Sequence, residues 1–328
     1  PAVAISIALF LALVVEPGVG KTFTTETTYV AKQAPSFADT LVSVFPSNPI
    51  QAMAEGNMLQ IIVFAILFGI GVSRAGERGQ RVGESFNSLN DVIMEIVMLL
   101  MHLAPYGVFC LLAKIFYSTG FDLIGQLIWY FLTVVTALLI HALIVYPSLL
   151  TMFARLNPFV FFKHIRPVLM FGFSTASSNA TIPITMETVE DKLGVDNAVA
   201  SFTVPLGATI NMDGTAIMQG VATVFIAQAY QIDLTLADYL AVIMTATLAS
   251  IGTAGVPGVG LVMLALVLQQ VGVAVEGIAL IIGVDRLLDM LRTAVNVTGD
   301  CTVSCIVAKA ENALDGDTFN GVAKRDPS

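Results

Sequence analysis

The chain has 328 residues, of which 56% are hydrophobic and 12% are charged, and its formal net charge is −9. Soluble domains are about 45–50% apolar and about 25% charged, so the composition excludes an ordinary soluble protein. The acidic residues lie mainly between apolar stretches, and the net charge does not indicate nucleic-acid binding. An all-α polytopic membrane protein is predicted, because several stretches without Asp, Glu, Lys or Arg reach roughly the 20 residues that cross a bilayer. They are 56–73, 96–113, 123–154, 167–186 and 239–275.

The first half of the chain predicts membrane helices joined by polar loops. Residues 1–15 indicate the end of a membrane helix, and we expect the sequence to be an N-terminally truncated piece of a longer protein. A polar, Thr-rich loop follows at residues 16–45. The next predicted helices are residues 46–73, residues 86–116 with a kink at Pro105, and residues 121–153.

Two basic turns predict how these helices are oriented across the membrane. Residues 74–85 and 155–166 both contain Arg or Lys residues, and two predicted spans separate them. Cytoplasmic loops carry an excess of Arg and Lys, so both turns are expected on the cytoplasmic side. The C-terminal tail, residues 312–328, is then also cytoplasmic, in a multi-pass protein of the plasma (inner) membrane.

The second half is interrupted by polar residues at membrane depth. Residues 159–187 are apolar but carry hydroxyl, amide and proline residues at their centre, and residues 238–271 repeat this pattern around a glycine-rich centre. Each stretch predicts a helical hairpin that enters the membrane and returns. Residues 195–230 predict a span that is broken near Asp213, where a charge is costly unless it is paired, hydrated or bound to a cation. Two such units in opposite orientation are typical of the inverted repeats and broken helices of secondary transporters.

The last predicted helix, residues 276–310, has one polar face. Its key polar residues are spaced by four, three, four and four positions, which places them on the same side of an α-helix. A surface helix of a soluble protein would explain this pattern, but the composition excludes that explanation. The residues of this face are Asp285, Asp289, Arg292, Asn296 and Asp300.

Arg292 has two interpretations that the residues leave open. A guanidinium group can hold a carboxylate through two parallel hydrogen bonds, which favours substrate binding. Alternatively, Arg292 forms a structural ion pair with Asp289, three residues earlier on the helix. In the same way, Asp300 is either a cation ligand or a helix-end carboxylate near water.

The histidines and cysteines do not predict a metal or redox centre. No two of them have a typical metal-ligand or disulfide-framework spacing, and we interpret them as structural. They are His102, His141, His164, Cys110, Cys301 and Cys305.

Four motifs resemble those of the glutamate transporter family, the dicarboxylate/amino acid:cation symporters that include the prokaryotic sodium/aspartate-glutamate carriers. They are STASSNATIP at 174–183, LGATINMDGT at 206–215, SIGTAGVPG at 250–258 and DMLRTAVNVTGD at 289–300. The resemblance covers essentially the whole chain. It implies the glutamate-transporter fold, with inverted repeats, two re-entrant helical hairpins and broken transmembrane helices, in a homotrimer. The first two helices of the family, and the first part of its third helix, have no counterpart in this sequence.

The resemblance also implies a division of the chain. Residues 1–15 would end a transport-domain helix, 16–120 would form the scaffold that trimerises, 121–311 would form the transport domain, and 312–328 would be the cytoplasmic tail. Within the transport domain, it implies hairpin 1 at 159–187, the broken helix at 195–230, hairpin 2 at 238–271 and the polar last helix at 276–310.

Positions that match the family's motifs are implied to bind an acidic amino acid. Arg292 would bind the side-chain carboxylate, Asp289 would bind the substrate ammonium, and Asp285 would support them from outside the ligand shell. The implied substrate-binding residues are Arg292, Asp289, Thr293, Asn296, Thr215, Ser178, Gly260 and Val256.

Sodium ions, which prefer hard oxygen ligands, are implied as the coupled ions. Family members that also carry a proton have a Glu where this sequence has Gln219, which favours coupling to sodium alone. The implied ligands form three sets: Asp300 with carbonyl groups of Gly207, Asn211 and Asn296; carbonyl groups of Thr209, Ser250, Ile251 and Thr253 with the Met212 sulfur; and Asn211 with Asp213.

The expected function is sodium-coupled symport of aspartate or glutamate across the plasma membrane by an elevator mechanism, with the lipid bilayer and further copies of the chain as partners. A carrier of C4-dicarboxylates or of neutral amino acids is an alternative, although Asp289 disfavours a substrate without an amine and Arg292 disfavours a neutral side chain. A substrate-gated anion channel is another alternative. An intramembrane enzyme is disfavoured, because the residues around Asp213 and Asp300 suit cation coordination better than catalysis.

Overall fold

A computed structural model describes residues 1–20, 45–55, 58–101, 106, 122–251, 255 and 257–321. The regular elements in these ranges are helices, and one isolated antiparallel bridge joins Val195 to Leu314. The predicted all-α fold class is therefore confirmed. The chain divides into two compact units, one of Pro1–Ala34 with Gln126–Ser328 and the other of Pro35–Gly125. The assignment of these units to a transport domain and a scaffold stays a prediction.

The first helix, α1 (Ala2–Val15), belongs to the larger unit. The smaller unit contains α2 (Pro49–Glu55), α3 (Met58–Arg74) and α4 (Glu77–Met101). Within it, aromatic rings join α3 to α4, with ring centroids 5.2 Å apart for Phe68 and Phe86. The predicted kink at Pro105 lies outside the described residues.

A long apolar helix opens the second part of the larger unit. It consists of α5 (Asp122–Ile140), a π-helical turn (His141–Val145), α6 (Tyr146–Leu149) and a second π-helical turn (Leu150–Ala154). Residues Leu127–Ala154, with a mean hydropathy of 2.3, are the one helix in the described part of the chain that is long and apolar enough to cross a membrane. Shorter apolar helices are Ala2–Val15, Val63–Arg74, Leu236–Ser250 and Val259–Gln270.

The predicted hairpin at 159–187 corresponds to a pair of helices, α8 (Arg166–Thr175) and α9 (Ser178–Asp191), preceded by α7 (Pro158–His164). Helix α8 ends at Ala176, whose φ of 52° is left-handed and stops the helix. Ser177 then caps α9, because its hydroxyl accepts a hydrogen bond from the Ala180 amide. The polar residues of the motif thus form the tip of this helical pair.

The stretches predicted to form the broken helix and the second hairpin also correspond to pairs of helices. Helices α10 (Asn197–Ile210) and α11 (Asp213–Ala229) are separated at Asn211 and Met212, whose backbone is not helical. Helices α12 (Leu236–Ile251) and α13 (Val259–Gln270) form the last pair. Their glycine-rich connection ends at Gly258, which adopts a left-handed φ of 81° that glycine tolerates.

The last long helix, α14 (Ile278–Ala310), is central to the larger unit, and the short α15 (Gly316–Phe319) follows it. Helix α14 packs against α8, α10 and α11, and α1 packs against α11. The tip of the first pair, the break between α10 and α11, and the polar face of α14 are therefore all parts of one packed unit.

Candidate functional site

The polar face of α14 is buried. Arg292 is 1% exposed, and the four other predicted residues of the face are buried as well. Burying charged groups is costly unless they are paired and hydrogen-bonded. Contacts of these side chains therefore indicate what the face can bind. Its residues are Asp285, Asp289, Arg292, Asn296 and Asp300.

Arg292 lies between two carboxylates on its own helix. Its Nη2 atom donates to Asp289 Oδ1 at 2.7 Å, and its Nη1 atom lies 3.1 Å from Asp285 Oδ1. Among the described residues, Nε of Arg292 has neither a hydrogen-bond nor an ion-pair partner. The guanidinium is thus ion-paired and still has a donor for a further acceptor.

The second helical pair contacts this guanidinium and its partner Asp289 through Gly260 and Gly258. A Cβ atom at Gly260 would lie 3.4 Å from Arg292 Nη1 and 3.3 Å from Thr215 Cγ2, so the three predicted substrate residues adjoin one another. The Gly258 amide donates to Asp289 Oδ2 at 3.0 Å. Thr293 is buried on the same helix, against Gly172 of α8.

The tips of the two helical pairs meet beside these residues. The Gly255 carbonyl accepts a hydrogen bond from the Ser177 hydroxyl at 2.7 Å and another from the Asn179 amide at 3.1 Å. Ser178, between these two donors, is buried. Val256 and Thr253, which were predicted to bind substrate and sodium, lie outside the described residues.

The first predicted sodium set is brought together. The Asn211 amide donates to Asp300 Oδ1 at 3.0 Å and to the Asn296 carbonyl at 3.2 Å. A Cβ atom at Gly207 would lie 2.6 Å from Asp300 Oδ1, so only glycine allows this approach. Carboxylate, carbonyl and amide oxygens are the ligands that hard cations prefer, and this group fits a sodium ion chemically.

The second predicted sodium set is partly connected. Met212 contacts the first set, because the Asn296 amide lies 3.2 Å from its sulfur. Thr209 lies near the end of α10, and Ser250 and Ile251 are the last residues of α12. Helices α10 and α12 contact each other. Ser250 is buried, whereas Thr209 is exposed.

Asp213 has partners that the sequence analysis missed. Its Oδ2 atom lies 2.8 Å from His141 Nε2 and accepts a hydrogen bond from the Tyr146 hydroxyl at 3.0 Å. Its Oδ1 atom accepts no hydrogen bond from the described residues and lies 2.8 Å from the Pro1 nitrogen. A lone histidine in the charge-free stretch 123–154 was the available signal, since ionisable residues in membrane spans mark functional sites.

Comparisons with known proteins bear on this arrangement. The chain matches the Sodium:dicarboxylate symporter family over residues 1–310. It is 44% identical to excitatory amino acid transporter 1 of Rattus norvegicus over 262 residues, which are 79% of the chain and 48% of that protein. It is 42% identical to excitatory amino acid transporter 3 of Oryctolagus cuniculus over 254 residues, 77% of the chain and 48% of that protein. An excitatory amino acid transporter of Caenorhabditis elegans is 43% identical over 253 residues, 76% of the chain and 50% of that protein.

The chain spans about half the length of the curated relatives it matches. The relatives and the matched family are transporters rather than enzymes, which agrees with the resemblance of the four motifs. The chain belongs to the Sodium:dicarboxylate symporter family.

Proposed function

We propose that the chain carries the substrate- and sodium-binding part of a plasma-membrane symporter that couples acidic amino acids to sodium. The single observation that supports this most strongly is the buried Arg292 guanidinium beside the tip of the second helical pair. It is ion-paired to Asp285 and Asp289 through Nη1 and Nη2, and its Nε has no hydrogen-bond partner among the described residues. Buried polar atoms are nearly always hydrogen-bonded, so this donor favours an anionic ligand.

The charges around Arg292 match those of a zwitterionic diacid. A substrate side-chain carboxylate would bind the Arg292 guanidinium, whose Nε has no partner among the described residues, and a substrate ammonium would bind the carboxylate of Asp289. The α-carboxylate would lie toward Ser178 and Asn296, near the place where the two tips meet. Each formal charge of aspartate or glutamate would then have a partner of opposite sign or a hydrogen-bond donor.

The group around Asp300 would carry the coupling ion. Asp300, Asn211, Asn296 and Gly207 converge within one packed region, and Gly214 ties Asn296 to α11 through a 2.7 Å hydrogen bond. Asn296 belongs to both the substrate set and the sodium set. A sodium ion bound here would order the same helix that holds Arg292, which is a physical route to coupling.

A carrier of C4-dicarboxylates is the second candidate function. It is favoured by the observation that Asp289 already has Arg292 and the Gly258 amide as partners, so it does not require a substrate ammonium. In both functions Arg292 binds a carboxylate, and the presence of an amine distinguishes the substrates.

Uptake into proteoliposomes tests the proposal. The protein would be reconstituted, and radiolabelled L-aspartate, L-glutamate, succinate and L-alanine would be supplied with an inward sodium gradient or with choline instead. We expect accumulation of an acidic amino acid that requires sodium. Preferred uptake of succinate would favour the second candidate. A substrate-gated anion current without sodium-dependent accumulation would instead indicate a channel.

The homotrimer and the elevator motion are also proposals. Two separate compact units, Pro1–Ala34 with Gln126–Ser328 and Pro35–Gly125, are consistent with a moving part and a fixed part in each protomer. The mass of the detergent-solubilised protein, measured by light scattering with correction for detergent, checks the assembly. Three copies of the chain are expected, and a monomer would contradict the trimer.

A further inference from the structure

His141 begins a π-helical turn, His141–Val145, inside the most apolar helix of the chain. The Tyr146 amide closes this turn by donating to the His141 carbonyl. Residues five positions apart point in different directions on an α-helix, at about 100° per residue. The wider turn instead brings both side chains to one place, with ring centroids 4.6 Å apart. Single π-helical turns are rare and are frequent at functional sites.

The two rings share one acceptor atom. His141 Nε2 and the Tyr146 hydroxyl lie 2.8 Å and 3.0 Å from the same oxygen, Asp213 Oδ2. His141 is 2% exposed and Tyr146 is 3% exposed, so water does not compete for these contacts. The other oxygen of Asp213, Oδ1, accepts no hydrogen bond among the described residues. Oδ1 instead lies 2.8 Å from the Pro1 nitrogen, a cationic group. The carboxylate is therefore fixed through Oδ2 by two side chains and contacts a cation through Oδ1.

Helix α14 places this group next to the sodium set of Asp300. Gly299 lies so close to Tyr146 that a Cβ atom there would be 2.9 Å from Tyr146 Cζ, and Asn211 approaches the same glycine. His141 also has a buried Nδ1 atom without a hydrogen-bond partner in the described part of the chain. An irregular helix and a buried polar atom without a partner each lower the stability of a fold. Their occurrence together at His141 therefore favours a functional role for this residue.

We propose that His141 and Tyr146 are positioning residues for cation binding at Asp213. Their two hydrogen bonds fix Oδ2 and present Oδ1 to a cation, so that a sodium ion would take the place that the Pro1 nitrogen occupies beside Oδ1. The π-helical turn is the backbone arrangement that makes this possible. This inference rests on the proposed function in one respect, namely that sodium is the coupled ion. Hydrogen-bond partners of metal ligands typically contribute about 10–100-fold to metal affinity.

The test is a sodium titration of the unfolding temperature of the purified full chain, without substrate. A ligand that binds only the folded state stabilises it by RT ln(1 + L/Kd), where L is the free ligand concentration, so the rise of this temperature with sodium concentration reports the sodium Kd. The variants are His141→Leu, which removes the donor, His141→Gln, which restores an N–H donor, and Tyr146→Phe. The matched control is His164→Leu, because His164 contacts the Phe319 carbonyl at 3.0 Å, away from Asp213.

We expect His141→Leu and Tyr146→Phe each to raise the sodium Kd, fitted from the rise of the unfolding temperature with sodium concentration, by about tenfold or more. His141→Gln should lie close to the parent protein, and His164→Leu should leave the sodium dependence unchanged. An unchanged sodium dependence in His141→Leu and Tyr146→Phe would overturn the inference. Equal loss in His141→Leu and His141→Gln would also overturn it, since donor chemistry would then not matter.

The same titration separates this inference from the proposed function. A protein that sodium stabilises but that binds no acidic amino acid would contradict the substrate proposal and leave the role of His141 measurable. A protein that binds aspartate with sodium, and whose sodium affinity is insensitive to His141→Leu and Tyr146→Phe, would contradict only the positioning role.

Discussion

The structure of Arg292 is compatible with both interpretations that the sequence left open, a structural ion pair with Asp289 and binding of a substrate carboxylate. It forms ion pairs with Asp289 and Asp285, and it also keeps Nε without a partner among the described residues. An ion pair that satisfied every donor would have supported a purely structural role. The partial pairing instead suggests that the carboxylates of Asp285 and Asp289 hold the guanidinium in place while a substrate carboxylate is absent.

Replacing Arg292 by Cys should lower the affinity for acidic amino acids by at least about 100-fold, because hydrogen bonds to charged groups contribute about 1.5–3 kcal/mol each. Binding of neutral amino acids with small side chains should persist. Calorimetric titration with L-aspartate and L-serine measures both. Arg286→Cys is the matched control, since Arg286 is exposed on the same helix. Unchanged aspartate affinity in Arg292→Cys would contradict the proposed role.

Asp300→Asn removes a charge from the first sodium set while keeping the shape of the side chain. Sodium affinity depends on the charge of the ligands, so the sodium concentration for half-maximal substrate binding should rise by about tenfold or more. High sodium should partly restore binding. The exposed Asp191→Asn variant is the control. If the two variants had the same sodium dependence, Asp300 would not be a sodium ligand.

At the scale of elements, the tips of the two helical pairs are joined through one backbone carbonyl. Gly255 accepts hydrogen bonds from Ser177 and Asn179, and Gly258 in the same connection donates to Asp289. These contacts place the second tip over the residues proposed to bind substrate. Entry of a substrate would therefore require this tip to separate from the first.

Gly255→Ala should weaken this contact, because a Cβ atom at Gly255 would lie 2.5 Å from Asn179 Oδ1 and 2.9 Å from its amide nitrogen. We expect substrate to dissociate about tenfold faster, which corresponds to about 1.4 kcal/mol. Release of radiolabelled aspartate after dilution measures the rate. Gly316→Ala is the control, since a Cβ atom there meets nothing within 4 Å. Equal release rates in both variants would show that the tips do not retain substrate.

Much of the element order followed from local patterns. Polar residues spaced by three and four predicted the buried face of α14, and the hydroxyl-rich and glycine-rich centres predicted the tips near Ser177 and Gly255. A break near Asp213 was predicted because a charge there is costly in lipid, and the non-helical residues are Asn211 and Met212. In each case a short stretch of sequence contains the physical reason for the structure.

At the scale of the whole molecule, contacts between distant residues were not predictable in the same way. His141 and Asp213 are 72 positions apart, and their contact depends on where the π-helical turn His141–Val145 lies relative to the start of α11. The π-helical turn that aligns His141 with Tyr146 has no strong local signature, so the histidine was interpreted as structural. The contacts of Arg292 were likewise not predictable from the sequence, because the spacing alone did not show which of its donors the carboxylates bind.

The central proposal is that these interruptions converge to enclose one zwitterionic diacid together with sodium. Calorimetric binding of L-aspartate, L-glutamate and succinate to the purified protein, with sodium and with choline, tests it most directly. We expect tight binding of an acidic amino acid in sodium, much weaker binding of succinate, and no measurable binding in choline. Aspartate binding of equal affinity in sodium and in choline would contradict the proposal.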